Sequence, residues 1–230
     1  SQNKPSVSQK VDSVSCYIEL SYFYLKGNNF QPALEYSQKA IDVAQKSENK
    51  NAEANAYTFL GGIYFELKKY DDAIETYVRS TALYNDLDPS TEQAYCYYNL
   101  GLCYMEKGGY ATAEIYFDKA NIIYEKINIP DAKELLNLQK GILYKAKGKS
   151  KLAAGIFNKI IAKPDSDDQF KTKAEALYQM GCIEFESGLS SLSMNYLNRA
   201  LELNAKSDNL EQKSKIYKKI SEVYEKMMDI

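Results

Sequence analysis

The sequence has no histidine and no tryptophan, four cysteines and five prolines in 230 residues, and no apolar run near the roughly 20 residues that span a bilayer. Each shortage excludes something. Without histidine the commonest general base, metal ligand and near-neutral proton switch are missing. The cysteines, Cys16, Cys96, Cys103 and Cys182, include no CxxC pair, which removes the usual zinc and dithiol spacings. Cys96 and Cys103 would sit about 10 Å apart along one helix, beyond disulfide reach. All four are expected as small core or groove residues. A net charge of −2 offers no concentrated basic surface, so no nucleic-acid partner is expected, and without a long apolar run no direct membrane insertion is expected. The glycines form no phosphate-cradling loop and no nucleophile has a histidine base. No catalytic site, metal or cofactor is expected.

What the chain does contain is tyrosine, 21 of them, within an ordinary globular balance of 45% hydrophobic and 26% charged residues. Superimposing "ELSYFY", "FLGGIY", "NLGLCY", "LQKGILY", "YQMGCIEF" and "KISEVY" aligns one small residue, Ser21, Gly61, Gly101, Gly141, Gly181 and Ser221, at a period of 40 residues without slip. Three residues on come Tyr24, Tyr64, Tyr104, Tyr144, Glu184 (with Phe185 beside it) and Tyr224. Twelve on come Ala33, Ala73, Ala113, Ala153 and Ser193; nineteen on come Ala40, Ser80, Ala120, Ile160 and Ala200.

Small residues at these spacings let two helices approach closely, and Tyr64, Tyr104, Tyr70, Tyr110, Tyr77 and Phe117 supply the surrounding bulk. The turns "LKGNNF", "LKKYDD", "EKGGYA", "AKGKSK" and "ESGLSS" fall within repeats, all but the second with a helix-ending glycine, and Pro89, Pro130 and Pro164 fall between repeats. "STEQ" at 90–93 reads as a capping box, and "DSDD" at 165–168, which lacks the glycine and distal glutamate of a calcium loop, as a helix cap. Helix pairs are expected at 14–27/30–47, 51–68/71–87, 90–107/110–127, 131–147/150–163 and 168–187/190–206, then one helix at 209–228. That last helix is expected to be an interrupted repeat of a longer protein rather than a solvating cap. The polar "SQNKPSVSQKVDS" holds no signal core; it reads as a mature terminus or an arbitrary boundary.

The pattern resembles the tetratricopeptide repeat, a helix-turn-helix unit with small residues where its helices cross. The resemblance runs from about residue 14 to the end and is strongest in repeats 2 and 3; in repeats 4 and 5 the usual aromatic opening the second helix is Ser150 or Ser190. The period exceeds the usual length of about 34 residues, so each helix gains close to a turn. The resemblance implies an all-α, right-handed superhelical solenoid of antiparallel helix pairs, with five full repeats plus one helix. It implies a flexible segment over 1–13 and one solenoid domain over 14–230, with repeats starting near 14, 54, 94, 134 and 174 and a partial one near 214.

The resemblance also implies a concave groove lined by first-helix positions around each small residue. These are Asn55, Thr58, Phe59, Gly62 and Phe65; Tyr95, Tyr98, Asn99, Leu102 and Met105; Leu135, Leu138, Gln139, Ile142 and Lys145; and Glu175, Tyr178, Gln179, Cys182 and Phe185. The carboxamides Asn99, Gln139 and Gln179 recur at one position and would hold the backbone of a peptide while the aromatics bury its side chains. Alternatives are a small-molecule ligand, or a groove filled by the chain itself. Residues 140–163 hold seven lysines and no acid; Lys145, Lys147, Lys149 and Lys151 are a solvated face or a docking patch for an acidic partner.

The long period and tyrosine-rich helices look similar to the repeat regions of bacterial sensor histidine kinases and related two-component regulators. That implies a periplasmic or extracytoplasmic ligand-sensing or docking region, with a homo-oligomer possible through the last helix. The alternative is an intracellular, cytoplasmic scaffold or quorum-sensing peptide-receptor array.

Overall fold

A computed structural model describes residues 7–164, 169–207 and 209–228, with side chains from Ser13 onward. The described residues form eleven helices and no strand: α1 Val7–Lys26, α2 Phe30–Lys46, α3 Lys50–Glu66, α4 Tyr70–Tyr84, α5 Thr91–Glu106, α6 Tyr110–Ile127, α7 Pro130–Ala146, α8 Ser150–Ile161, α9 Phe170–Glu186, α10 Ser190–Ser207 and α11 Leu210–Met228. They fall into two compact units, Ser1–Pro130 and Asp131–Ile230. In the first, three hairpins stack in chain order, and the first helices α1, α3 and α5 also touch one another as a layer. In the second, α10 packs between α9 and α11, and α9 also meets α8 and α11.

The expected pairs are all present, with two differences. Helix α1 begins at Val7 rather than at 14, because Val7, Val11 and Val14 continue its apolar spacing upstream of the expected flexible boundary. The expected cap at 165–168 lies outside the described residues. Ser90 does cap α5, its side chain accepting from the Gln93 N–H at 3.2 Å, while the Gln93 amide donates to Asn85 at 3.3 Å.

The helix crossings show what the recurring small residue faces. A Cβ built on Gly61 would lie 2.8 Å from the Tyr77 ring, on Gly101 or Gly141 2.4 Å from the rings of Phe117 and Phe157, and on Gly181 2.8 Å from Leu197. The glycine therefore makes room for a bulky side chain sixteen residues on, as well as for the alanine at twelve. Repeat 1 solves the same crossing with small partners: Ser21 pairs with Ser37 at 2.8 Å and donates to the Ala33 carbonyl at 2.6 Å. Ala33, Ala73, Ala113 and Ala153 are fully buried, as are Tyr77, Phe117 and Phe157 to within 1%. The core thus recurs hairpin by hairpin, and within the first unit each hairpin packs on the next.

The intra-repeat turns close identically. The N–H of the third residue after each first helix reaches back five residues, from Asn29, Lys69, Gly109, Lys149 and Leu189 to the carbonyls of Tyr24, Tyr64, Tyr104, Tyr144 and Glu184, at 2.7–2.9 Å. The residue before it is left-handed: Gly108, Gly148 and Gly188 in repeats 3 to 5, but Asn28 in repeat 1 and Lys68 in repeat 2. In repeat 1 the left-handed residue is therefore Asn28, not the neighbouring Gly27. Lys68 (φ 58°) carries a side chain where the backbone disfavours one. Lys68→Gly is expected to raise stability by about 1 kcal/mol, read as a higher urea midpoint with unchanged slope. A lower midpoint would show that the Lys68 side chain contributes more than the turn strain costs.

Candidate peptide-binding site

The layer α1, α3 and α5 frames an open cleft of about 790 Å³ in the first unit. Asn55, Thr58, Phe59, Gly62 and Glu66 of α3 form its floor, Ser15, Ile18, Glu19, Tyr22 and Leu25 of α1 one wall, and Glu92 and Tyr95 of α5 the other, with Lys26, Asn28 and Phe30 closing one end. A helix turns 100° per residue, which puts 55, 59, 62 and 66 on one stripe of α3.

The floor is anchored from beneath. Tyr84 donates to Asn55 Oδ1. Thr58 donates to its own helix at the Ala54 carbonyl and lies 2.8 Å from the Ser80 hydroxyl and 2.9 Å from Cys96 Sγ. Burial pushes the Cys96 thiol up to about 11 and the Cys103 thiol up to about 12, so both stay protonated at neutral pH and serve as packing rather than nucleophiles. Cys182 is also buried, but Cys16 is exposed, contrary to the expectation that all four sit in core or groove.

Above that floor the aromatics are fixed and accessible. Tyr22 meets Phe59 edge to face at 6.4 Å. Tyr95 is 49% exposed and stacks on Tyr98 at 6.3 Å, while Tyr98 packs on Phe117 at 6.0 Å. Three carboxylates, Glu19, Glu66 and Glu92, stand at the cleft with no ion pair among the described residues; the single cation is Lys26, over the Tyr22 ring at 5.2 Å. The cleft is therefore aromatic within and acidic at its rim.

The structure sorts the expected groove residues. Asn55, Thr58, Phe59, Gly62 and Tyr95 line the cleft. Tyr98 and Asn99 do not: they are 8% and 5% exposed, and the Asn99 amide donates to the Tyr95 carbonyl at 3.0 Å, a local bond that a short carboxamide makes readily. Phe65 leans on Tyr70 at 5.6 Å, and Leu102 is half-buried. The wall from α1 was missed, although the offsets used for the other repeats, applied to Ser21, give Ser15, Ile18, Glu19, Tyr22 and Leu25.

In the second unit Leu138 is buried in the core and Gln139 and Ile142 are half-buried. Gln179 is already engaged, accepting from Lys145 at 3.2 Å and donating to Glu175 at 2.8 Å; Gln212 of α11 donates to the same Glu175 at 3.2 Å. Tyr178 is half-buried, and Phe185 lies under Lys219 and Lys226 of α11 at 5.1 and 4.8 Å. The expected carboxamide ladder is thus bonded within the chain at Asn99 and Gln179. Nor do the lysines form one open patch: Lys145 pairs with Glu186 at 3.4 Å and Lys149 lies over Tyr144 at 5.8 Å, Lys147 is half-buried, and Lys151 is exposed. Among the described residues no cluster of histidine, cysteine or carboxylates could hold a metal, and no helix is long and apolar enough to cross a membrane.

Residues 14–86, 94–121 and 174–207 match the tetratricopeptide repeat family, together more than half of the chain, which therefore belongs to that family. It is a protein-binding module built of these repeats. A curated relative, outer dynein arm-docking complex subunit 4 of Xenopus laevis, is 28% identical over 90 residues, 39% of this chain; the chain spans only 16% of that protein's length. Among solved structures, the apo form of the quorum sensor NprR from B. thuringiensis superimposes with a TM-score of 0.75 at 14% identity, over 94% of this chain and 60% of that one. BtubC (BKLC) from P. vanneervenii gives 0.72 at 16% identity, over 90% and 94%. The Rap conjugation gene regulator of plasmid pLS20, in complex with the Phr* peptide, gives 0.70 at 17%, over 87% and 55%. At these identities the likeness is one of fold.

Proposed function

We propose that the chain binds a peptide or an extended protein segment in the cleft of α1, α3 and α5, as the recognition part of a signalling or regulatory protein. The observation that carries this reading is the conjunction, in one cleft, of the exposed ring Tyr95, the edge-to-face pair Tyr22 and Phe59, and three carboxylates with no ion pair among the described residues. Such a lining suits a segment in which lysine or arginine alternates with apolar side chains: the rings bury the apolar groups and attract the cations, and the rim steers them. The apo quorum sensor and the peptide-bound Rap regulator among the similar structures support a peptide-receptor role better than a region attached to a histidine kinase.

An array of immobilised decapeptides of varied charge and apolar content, probed with the purified chain, tests this. Basic peptides with aromatic or aliphatic residues should retain the chain, and the same peptides with lysine and arginine changed to glutamate should not. Equal retention by both sets, or retention unaffected by 0.5 M salt, would contradict it.

A further inference from the structure

Repeats 1 and 3 each build a ladder of three tyrosine rings on the side of the first helix away from the cleft. In repeat 1, Tyr36 of α2 stacks between Tyr17 and Tyr24 of α1, with centroids 6.2 and 5.5 Å away. In repeat 3, Tyr116 of α6 stacks between Tyr97 and Tyr104 of α5 at the same 6.2 and 5.5 Å. A lysine one turn further along the second helix covers the central ring, Lys39 at 4.6 Å from Tyr36 and Lys119 at 5.3 Å from Tyr116.

Repeat 2, between them, keeps the outer rings as Tyr57 and Tyr64 and the cation as Arg79, but has Thr76 where the central ring should be. The result is a second pocket of about 290 Å³, walled by Tyr57, Tyr64, Leu60, Gln38 and Arg79. Its floor is inert: Thr76 is 7% exposed and its hydroxyl donates to the Asp72 carbonyl at 2.7 Å. Its walls are held in place, because Gln45 donates to the Tyr57 hydroxyl at 3.2 Å and Arg79 to Glu75 at 2.7 Å. Tyr57 and Tyr64 lie two turns apart, about 10 Å along α3, which leaves room for one planar ring between them. They point about 180° away from Asn55, Phe59 and Gly62, so this pocket and the cleft are separate sites on one helix.

We propose that this slot receives a tyrosine side chain presented by a partner protein, completing in repeat 2 the ladder that the chain's own Tyr36 and Tyr116 complete on either side. The ring would stack in offset fashion on Tyr57 and Tyr64 beneath the Arg79 guanidinium, and the mixed rim of Arg79, Asp72 and Glu75 offers its hydroxyl both a donor and acceptors.

The probe is p-cresol, the tyrosine side chain in isolation, titrated into the full chain carrying 13C-labelled tyrosine. Saturable shifts are expected at the ring resonances of Tyr57 and Tyr64, assigned by single Phe substitutions, while Tyr17 and Tyr104 stay still. Thr76→Tyr fills the slot from within; it should weaken the response at least tenfold and melt no lower than the wild type. Tyr57→Leu, which removes one wall, should weaken the Tyr64 response by a similar factor and keeps the proposal testable if Thr76→Tyr folds poorly. Phe59→Ala, in the cleft, should leave the response unchanged. Shifts confined to other tyrosines, responses that survive both slot variants, or equal saturation by cyclohexylmethanol would overturn the assignment.

Discussion

Gly101→Leu should destabilise the first unit by about 3 kcal/mol or more, and even Gly101→Ala by about 2 kcal/mol, in the range for overpacking a tight crossing. Alanine is ordinarily the better helix former by nearly 1 kcal/mol, so the sign is the informative part. The first atom added at Gly101 would lie 2.4 Å from Phe117 Cε1, on a ring that is itself fully buried and has nowhere to go. Gly155 provides the control: it is helical, and a Cβ there meets nothing within 4 Å. Gly155→Ala should therefore stabilise by up to about 1 kcal/mol, the same chemical change with the opposite outcome. In a Phe117→Ala background the penalty at Gly101 should vanish, giving a coupling of roughly 2 kcal/mol in a double-mutant cycle. Chemical denaturation of the four proteins measures it. A Gly101→Ala penalty that persists without the ring would show that Phe117 is not what the glycine accommodates.

The second large effect is on binding. Phe59→Ala combined with Tyr95→Ala should weaken a basic, apolar peptide by at least thirtyfold, since one buried aromatic anchor is commonly worth about 2 kcal/mol or more on truncation. Folding should change little, because Tyr95 is 49% exposed and Phe59 faces the open cleft. Fluorescence titration measures the affinity and thermal melting the stability. The neighbouring pair Tyr98→Ala and Asn99→Ala would behave differently. Those side chains are 8% and 5% exposed, so their removal should cost roughly 3 kcal/mol of stability, and any loss of binding would follow from lost structure.

That contrast also marks how far the sequence could be read. The helix pairs were legible because their signals are local and repeated: the small residue at the crossing, the turn that ends each first helix, the prolines between repeats. Six copies in phase reinforce one another where one would be ambiguous. The groove was legible as a set of positions but not as a surface. Whether position 98 faces solvent depends on Phe117 of the next helix, and whether Asn99 is available depends on a bond to its own backbone, and neither fact has a sequence signature. Gln179 and Lys145 looked like ligand groups and prove to satisfy each other. The empty rung at Thr76 became visible only once Tyr36 and Tyr116 were seen stacked between their neighbours.

The central claim is that the recognition surface is the cleft of α1, α3 and α5, and amide and aromatic chemical-shift mapping with the strongest peptide from the array tests it most directly. The account predicts perturbations concentrated at Tyr22, Phe59 and Tyr95 and along Glu19, Glu66 and Glu92, with Lys149 and Lys151 unaffected. Perturbations centred on Lys149 and Lys151, with the cleft silent, would contradict it.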